Sequence, residues 1–429
     1  MNTDTDLMDA YFELMIPSSE CPLIYHRWCL ISAVGALLGR KCWLDFGFDK
    51  IYPNMYTCIL GTAGSRKSSA IKAARKLLEA VDYNYFARER TSKEKFLKDL
   101  GAGFDTINGG IPHEGIDADT ILLQGGDFIE TTAGPSEVYI NAGELEDFMG
   151  QGDVTFISLL TNLWDNLDRY SHGKMTSQDI YINEPTINLM GGCTPTTFNS
   201  VFPPEVIGQG MLSRMLLIFG GGNRTKITFP PPLDKEKLSD IIEILAGIRD
   251  TISGAMTLEP AAMKLLDDIY QTSYTIADAR FDNYINRRHI HLLKLCMIIA
   301  AMDLSTTITS AHLIKANSIL FHAESLMPRA LGEFGMAKNS DAVNIVSQFI
   351  TEAYYKSNTG VTAKEIFEAT SNHFVSFSKD FTECLQKLSR SGKMKCISGK
   401  WIPIQATSHV KLPHVYVESL LEYQDTKEK

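Results

Sequence analysis

Ile59-Leu60-Gly61-Thr62-Ala63-Gly64-Ser65-Arg66-Lys67-Ser68-Ser69 is the stretch on which the fold turns. Against G-x-x-x-x-G-K-[ST], every fixed position is met except the last glycine, which is Arg66. Met55 to Leu60 before it reads as a strand. Ala70 to Val81 after it, free of proline and glycine, reads as a helix. Strand, glycine loop and helix are the surroundings a phosphate-binding loop requires, because backbone N–H groups and a helix N-terminus aim fixed dipoles at negative charge. Gly61, Thr62, Ala63, Gly64, Ser65, Arg66, Lys67, Ser68 and Ser69 are therefore the expected ATP ligands. Lys67 is expected on the β- and γ-phosphates and Ser68 on Mg²⁺. A side chain at Arg66 either crowds the phosphates or adds positive charge to them. A chance glycine turn would match the bare pattern; the flanking strand, helix and Lys-Ser pair argue against it.

Further along, Val138-Tyr139-Ile140 supplies a strand that runs into Asn141-Ala142-Gly143-Glu144-Leu145-Glu146. A phosphate-loop ATPase uses one carboxylate near Mg²⁺ and another to polarise the attacking water. Gly143 stands where the metal-side carboxylate would be. Glu144 is the expected catalytic carboxylate, ahead of Glu146 and Asp147; exposed helix acids are the plainer reading of all three. Thr186 to Pro195 reads as a buried strand, and off its carboxyl end Thr194 is placed to sense the γ-phosphate or water. Arg214 precedes the apolar run Met215 to Phe219. It is expected to stabilise transition-state charge across a subunit interface, with a structural ion pair as the alternative.

The rest of the chain bounds these readings. Its 429 residues suffice for two or three domains, and 44% hydrophobic with 21% charged residues is an ordinary globular balance. A net charge of −10 argues against an extended nucleic-acid coat while leaving room for a local basic channel. Eight dispersed cysteines without a C-x-x-C pair disfavour zinc and fit reduced thiols. Met1 to Asp6 is acidic with no apolar leader, and the longest apolar run stops at Gly39-Arg40-Lys41. No membrane span and a cytoplasmic location (that of the host, if phage-encoded) are expected.

Residues 7–16 and 22–38 have helical patterns and Trp43 to Phe46 reads as a strand, giving an N-terminal helical cap over 1–50 in which Trp28 and Trp43 are core residues. The ATPase core follows over 51–225. Arg88 to Lys95 reads as a solvated helix start with Ser92 as cap, and Gly101 to Gly115 as a loop in which His113 has no assigned role. Tyr170 to Met175 reads as a hairpin tip whose His172 and Lys174 grip nucleic-acid phosphates or form a simple surface turn. A proline-rich linker, Asn223 to Asp234, leads into an all-helical lid over 226–335. Arg287 and Arg288 head an apolar helix there, unfavourable to its dipole and suggestive of an anionic partner. Over 336–405, three helices and a hairpin read as a winged helix whose face carries Lys387, Arg390, Lys393, Lys395 and Lys400 for DNA phosphates, with protein docking as the alternative. A charged tail ends the chain at 406–429.

Residues from about 20 to 330 resemble the helicase-like phosphate-loop ATPases of phages, plasmids and integrated elements. The resemblance rests on Cys21-Pro22-Leu23, the Gly35 to Arg40 turn, Pro53 to Tyr56, Leu163-Trp164-Asp165, Gly191 to Pro195 and Gly210 to Arg214. The downstream part is also similar to minichromosome-maintenance-type AAA+ helicases. That likeness implies an arginine finger at Arg214, a second sensor at Arg288 or Arg287, a terminal winged helix, and tolerance of a non-glycine before Lys67. Gly143 and Thr194 depart from the pattern, which has Asp and Asn there; both bear on turnover rather than binding. The expected fold is thus α/β, a P-loop NTPase (AAA+-like) core with a helical cap, an all-α lid and a winged helix. The expected function is a ring-forming, hexameric ATP-dependent DNA helicase or translocase in replication of a phage or mobile element. The alternative is a nucleotide-switched DNA-binding or helicase-loader protein with weak ATPase and no unwinding.

Overall fold

A computed structural model describes residues 6–103, 134–174, 177–203, 210–221 and 225–331 (apart from 273 and 277), and, further on, 345–354 (apart from 348 and 352), 359–371, 381–390 and 394–403. The loop containing His113, the hairpin tip at 175–176, the side chain of Lys174, Lys393, and the tail lie outside the described residues.

Four strands form the central sheet, β3 (Tyr56–Leu60), β4 (Glu137–Ala142), β7 (Thr186–Cys193) and β8 (Met215–Phe219), in the order β4-β7-β3-β8. All are parallel, paired Tyr56↔Leu189, Tyr56↔Met215 and Ala142↔Gly191. Every residue of β3 and β7 is buried, as continuous apolar runs in parallel sheets should be. Residues 85–87 extend the β4 edge, with Ala87 N–H donating to the Tyr139 carbonyl and Tyr139 N–H to that of Tyr85. Because the strands share one direction, the loop after Leu60, the turn after Ala142 and Thr194 after Cys193 all emerge on one edge.

Helices α1 (Leu7–Met15), α2 (Leu23–Leu38) and α3 (Lys67–Glu79) pack nearby. α3 is amphipathic, burying Ala70, Ile71, Ala74, Leu77 and Leu78 at helical spacing. α2 is mostly apolar with no solvent-facing side, and it is buried at all 16 residues, His26 and Arg27 included, against α3 and the sheet. The N-terminal segment is therefore no separate cap: one hydrophobic core runs from Leu7 to Leu331. Trp28 lies within it, whereas Trp43 is only half-buried and stacks under Lys50.

The region expected to be all-helical contains two strands. β1 (Cys42–Phe46) pairs antiparallel with β2 (Asp49–Ile51) and parallel with β9 (Gly254–Leu258), which pairs in turn with β10 (Thr307–Ile308). These short strands lie among long helices, α9 (Lys235–Thr251), α10 (Pro260–Gln271), α12 (Arg288–Met302) and α13 (Ser310–Leu331), whose periodicity dominates the sequence; α11 (Asp282–Ile285) is a single turn. Before them, α4 (Lys93–Ala102), capped by Ser92, α5 (Leu145–Met149), α6 (Val154–Leu163), α7 (Pro195–Val201) and α8 (Met211–Arg214) surround the sheet. β5 (Arg169–Lys174) and β6 (Ser177–Asn183) form the expected hairpin, packed on α4.

Near the C-terminus, β11 (Val361–Thr362), β12 (Met394–Ile397) and β13 (Lys400–Pro403) form an antiparallel sheet in the order β11-β13-β12. α14 (Ala363–Thr370), opened by a Thr362/Glu365 capping box, and α15 (Thr382–Arg390) accompany it, and the described residues of 345–354 are helical. Their apolar residues form a core of their own. All eight cysteines are free, and among the described residues no helix is long and apolar enough to cross a membrane.

Candidate active site

The loop 61–66 leaves the carboxyl end of β3 and delivers the chain to the N-terminus of α3. Gly64 and Arg66 both take the left-handed backbone conformation, with φ of 81° and 60°. That conformation is why loops of this pattern favour glycine at position 66. Arg66 adopts it anyway, at a cost of roughly 1 kcal/mol. Its side chain is turned outward to Glu20, with Nε and Nη2 each 2.9 Å from Oε2. The other oxygen, Glu20 Oε1, accepts the Ile227 N–H at 2.8 Å. Those two bonds hold the Glu20 carboxyl below its ordinary range, the backbone bond contributing most. One carboxylate thus ties the phosphate loop to the segment leading into α9.

Lys67 is buried, and its ammonium donates to the carbonyls of Gly61 and Thr62, both at 3.0 Å. The Ser68 hydroxyl donates to the Gly143 carbonyl at 3.4 Å. Glu144, next in the chain, is exposed at the N-terminus of α5. Desolvation raises its carboxyl, Lys67 opposes the rise, and Asp147 and Glu146 add to it. The structure therefore brings Lys67, Ser68 and Glu144 to one mouth. The close approach of β7 to this turn requires Gly192, where a β-carbon would lie 2.4 Å from the Gly143 carbonyl oxygen. Gly143 itself has room, a β-carbon there meeting nothing nearer than Ser68 Cβ at 3.6 Å. The Ser68 hydroxyl and the Gly143 carbonyl are hard oxygen donors of the kind Mg²⁺ takes alongside phosphate.

Thr194 follows β7 on the same edge, where Gly61 N–H donates to the Cys193 carbonyl. Its hydroxyl is engaged as the cap of α7, accepting Thr197 N–H at 3.0 Å.

Arg214 lies at the opposite edge. It precedes β8, in register with Met55, and so sits six residue steps along the strands, roughly 20 Å, from the loop. Its Nη2 is 2.6 Å from Asp165 Oδ2, and Arg287 Nη1 is 3.6 Å from Oδ1 of the same carboxylate. Both guanidinium groups flank the Trp164 ring, under which the buried Lys294 also packs, 4.4 Å from the centroid. Arg288 is not at the chain's own loop either. It is buried in an ion pair with Glu324 at 2.8 Å, with Asn317 as a second acceptor, and α12 beside it anchors on α8 through His291 and the Ser213 carbonyl. The anions facing the basic head of α12 are therefore Asp165 and Glu324 of the same chain. No protein-family model matches this chain, and no curated protein resembles it closely enough to count as a match.

Of the expected nucleic-acid residues, His172 is half-buried in β5, while Lys395 and Lys400 are exposed on the β12–β13 hairpin, whose turn uses Ser398 and Gly399 with positive φ. Sequence reasoning missed Glu20. It lies 46 residues before its partner Arg66, and no local pattern links the two.

Proposed function

We propose that this chain is an ATP-driven motor of the AAA+ type that assembles as a ring, a hexamer, and translocates on or unwinds DNA in replication of a phage or mobile element. The observation that carries the reading is the Lys67 ammonium held by the Gly61 and Thr62 carbonyls at the carboxyl edge of a parallel sheet, with Glu144 close enough to feel its charge. β7 separates the loop strand from the strand that delivers Glu144, the arrangement in which ligands of open α/β sheets lie off the carboxyl ends of the strands.

In this reading Lys67 exchanges the two carbonyls for phosphate oxygens, and the first turn of α3 adds its N–H dipoles. Ser68, with the Gly143 carbonyl beside it, would hold Mg²⁺, which would neutralise charge on the transferring phosphate. Glu144, made more basic by desolvation, takes the proton of the attacking water, and Thr194 turns from its capping role to position that water. Arg214 and Arg287, on the far edge, serve the site of a neighbouring copy once Asp165 yields them. Arg288, locked to Glu324, holds α12 in place instead of binding nucleotide. His172, Lys174, Lys393, Lys395 and Lys400 contact DNA phosphates. The test is ATP hydrolysis with and without single-stranded DNA, comparing the unmodified chain with Lys67→Ala. Turnover stimulated by DNA and abolished by the substitution is expected. Turnover that survives Lys67→Ala would place the chemistry elsewhere.

A second reading, a nucleotide-switched DNA-binding or loader protein, is favoured by Gly143, which leaves the metal side one carboxylate short, and by the capping engagement of Thr194. Nucleotide binding without turnover in the same assay is its signature.

A further inference from the structure

Tyr25, in the first turn of α2, is fully buried beneath the phosphate loop. Its hydroxyl donates to the Leu60 carbonyl at 2.8 Å and lies 3.4 Å from that of Gly220. The Leu60 oxygen also accepts Gly220 N–H at 3.2 Å, so two donors fix the last carbonyl of β3 just before the loop opens. A β-carbon on Gly61 would stand 2.1 Å from the Tyr25 oxygen and 2.8 Å from Ser65 Oγ, and one on Gly220 would run 2.5 Å from the Tyr25 ring. The first glycine of the motif is thus dictated by a tyrosine 36 residues earlier. Ser65 is buried with its hydroxyl against that of Tyr25, without the geometry of a full hydrogen bond. Burial pushes the Tyr25 hydroxyl up to about 12, against the pull of Ser65 and Gly220, so it remains a donor at neutral pH.

In the present conformation Lys67 closes the loop by bonding the Gly61 and Thr62 carbonyls. A phosphate that draws the ammonium away removes that internal tie at the moment the loop must hold its shape. The tie to Leu60, one residue earlier, does not depend on Lys67. We propose that Tyr25 is the positioning residue of the phosphate loop, its hydroxyl bracing Leu60, Gly61 and Ser65 in the form that receives the polyphosphate. The inference rests on reading Gly61 to Ser68 as the nucleotide site.

The test is titration of the full chain with Mg²⁺-ATP, alongside thermal unfolding, for the unmodified chain, Tyr25→Phe, Ser65→Ala and their double variant. Tyr11→Phe, which removes a buried hydroxyl bonded to His26 away from the loop, serves as control. Tyr25→Phe is expected to weaken binding ~5- to 10-fold, the size of one lost hydrogen bond. Its Tm should fall no further than that of Tyr11→Phe, whose binding stays unchanged. Ser65→Ala should cost less in the Tyr25→Phe background than alone, because both act on one contact. Unchanged affinity in Tyr25→Phe would overturn the inference while leaving the nucleotide reading intact, as would an equal loss in Tyr11→Phe. Absence of binding by the unmodified chain would overturn both.

Discussion

Gly143 is the residue where the chemistry of the site is most open to change. A β-carbon would fit there, in ordinary contact with Ser68, and its φ is not in the left-handed region that would strain a side chain. A carboxylate at this point would face the Ser68 hydroxyl on the metal side of the mouth. Gly143→Asp is therefore expected to raise Mg²⁺-dependent ATP turnover severalfold and lower the Mg²⁺ concentration at half-maximal rate, with Tm little changed. Phosphate release measured across a Mg²⁺ series checks this; no change would mean that the Ser68 side of the mouth holds no metal. At this scale the sequence was informative where chemistry is local. The spacing of Gly61, Gly64, Lys67 and Ser68 sufficed to place a loop between β3 and α3, and the apolar run before Glu144 to place a carboxylate just past β4. It was silent where a contact is long-range. The outward turn of Arg66 depends on Glu20, and the identity of Gly61 on Tyr25, pairings that no periodicity encodes.

Among the elements, α12 buries two cationic side chains, Arg288 and Lys294. Arg288 and Glu324 form a pair whose carboxylate is fully buried, and Tyr284 donates to that carboxylate at 2.8 Å. Removing one partner strands the other charge in the core. Arg288→Ala is expected to cost ~3–5 kcal/mol, whereas Arg288→Met with Glu324→Leu should recover most of it; urea unfolding of the three chains gives the comparison. One turn and a half further along, Lys294 is buried beneath Trp164, donates to Asn54, and is pushed down to about 7 from 10.5 by desolvation, with Asp165 opposing. Below pH 7 the lysine is charged in both folded and unfolded chains, and the cost of burying it is present in full. Above pH 7 the folded form releases the proton, while the unfolded form keeps it until about 10.5. Stability is expected to rise by a few kcal/mol from pH 7 to 10 through this group, and that rise should vanish in Lys294→Met. A flat profile in the unmodified chain would mean that Lys294 keeps its charge inside the fold. The basic head of α12 was visible in the sequence; that its anions lie within the chain was not, because Asp165 and Glu324 sit 122 and 36 residues away from their partners. β9 and β10 escaped for a related reason, since such short strands take their identity from pairing, β9 with β1 and β10 with β9, rather than from their own pattern.

For the whole molecule the question is which boundaries are real. The linker near Pro230 reads as a domain border, and so does the turn ahead of β3, yet the main core crosses both. α2 contributes Leu23, Ile24, Trp28, Leu30, Ile31, Val34, Leu37 and Leu38 to it, and β1 extends a sheet with strands from the far side of the linker. At ~1.5–3 kcal/mol for each large apolar side chain buried, the burial that α2 contributes is on the scale of the ~5–15 kcal/mol that separates folded from unfolded chains. A fragment spanning 51–225 is therefore expected not to give a cooperative unfolding transition. The break after Leu331 is different, because the core of Val346, Ile350, Ile366, Leu388 and Met394 shares no residue with the larger one. A chain ending at residue 335 should keep its Tm within a few degrees and keep its affinity for ATP. If the exposed Lys395 and Lys400 hold DNA, that chain should lose DNA affinity and with it the stimulation of hydrolysis by DNA. Calorimetry and nucleotide titration on the two truncations separate these cases, and a cooperative transition from 51–225 would mean that α2 covers the sheet without holding it together.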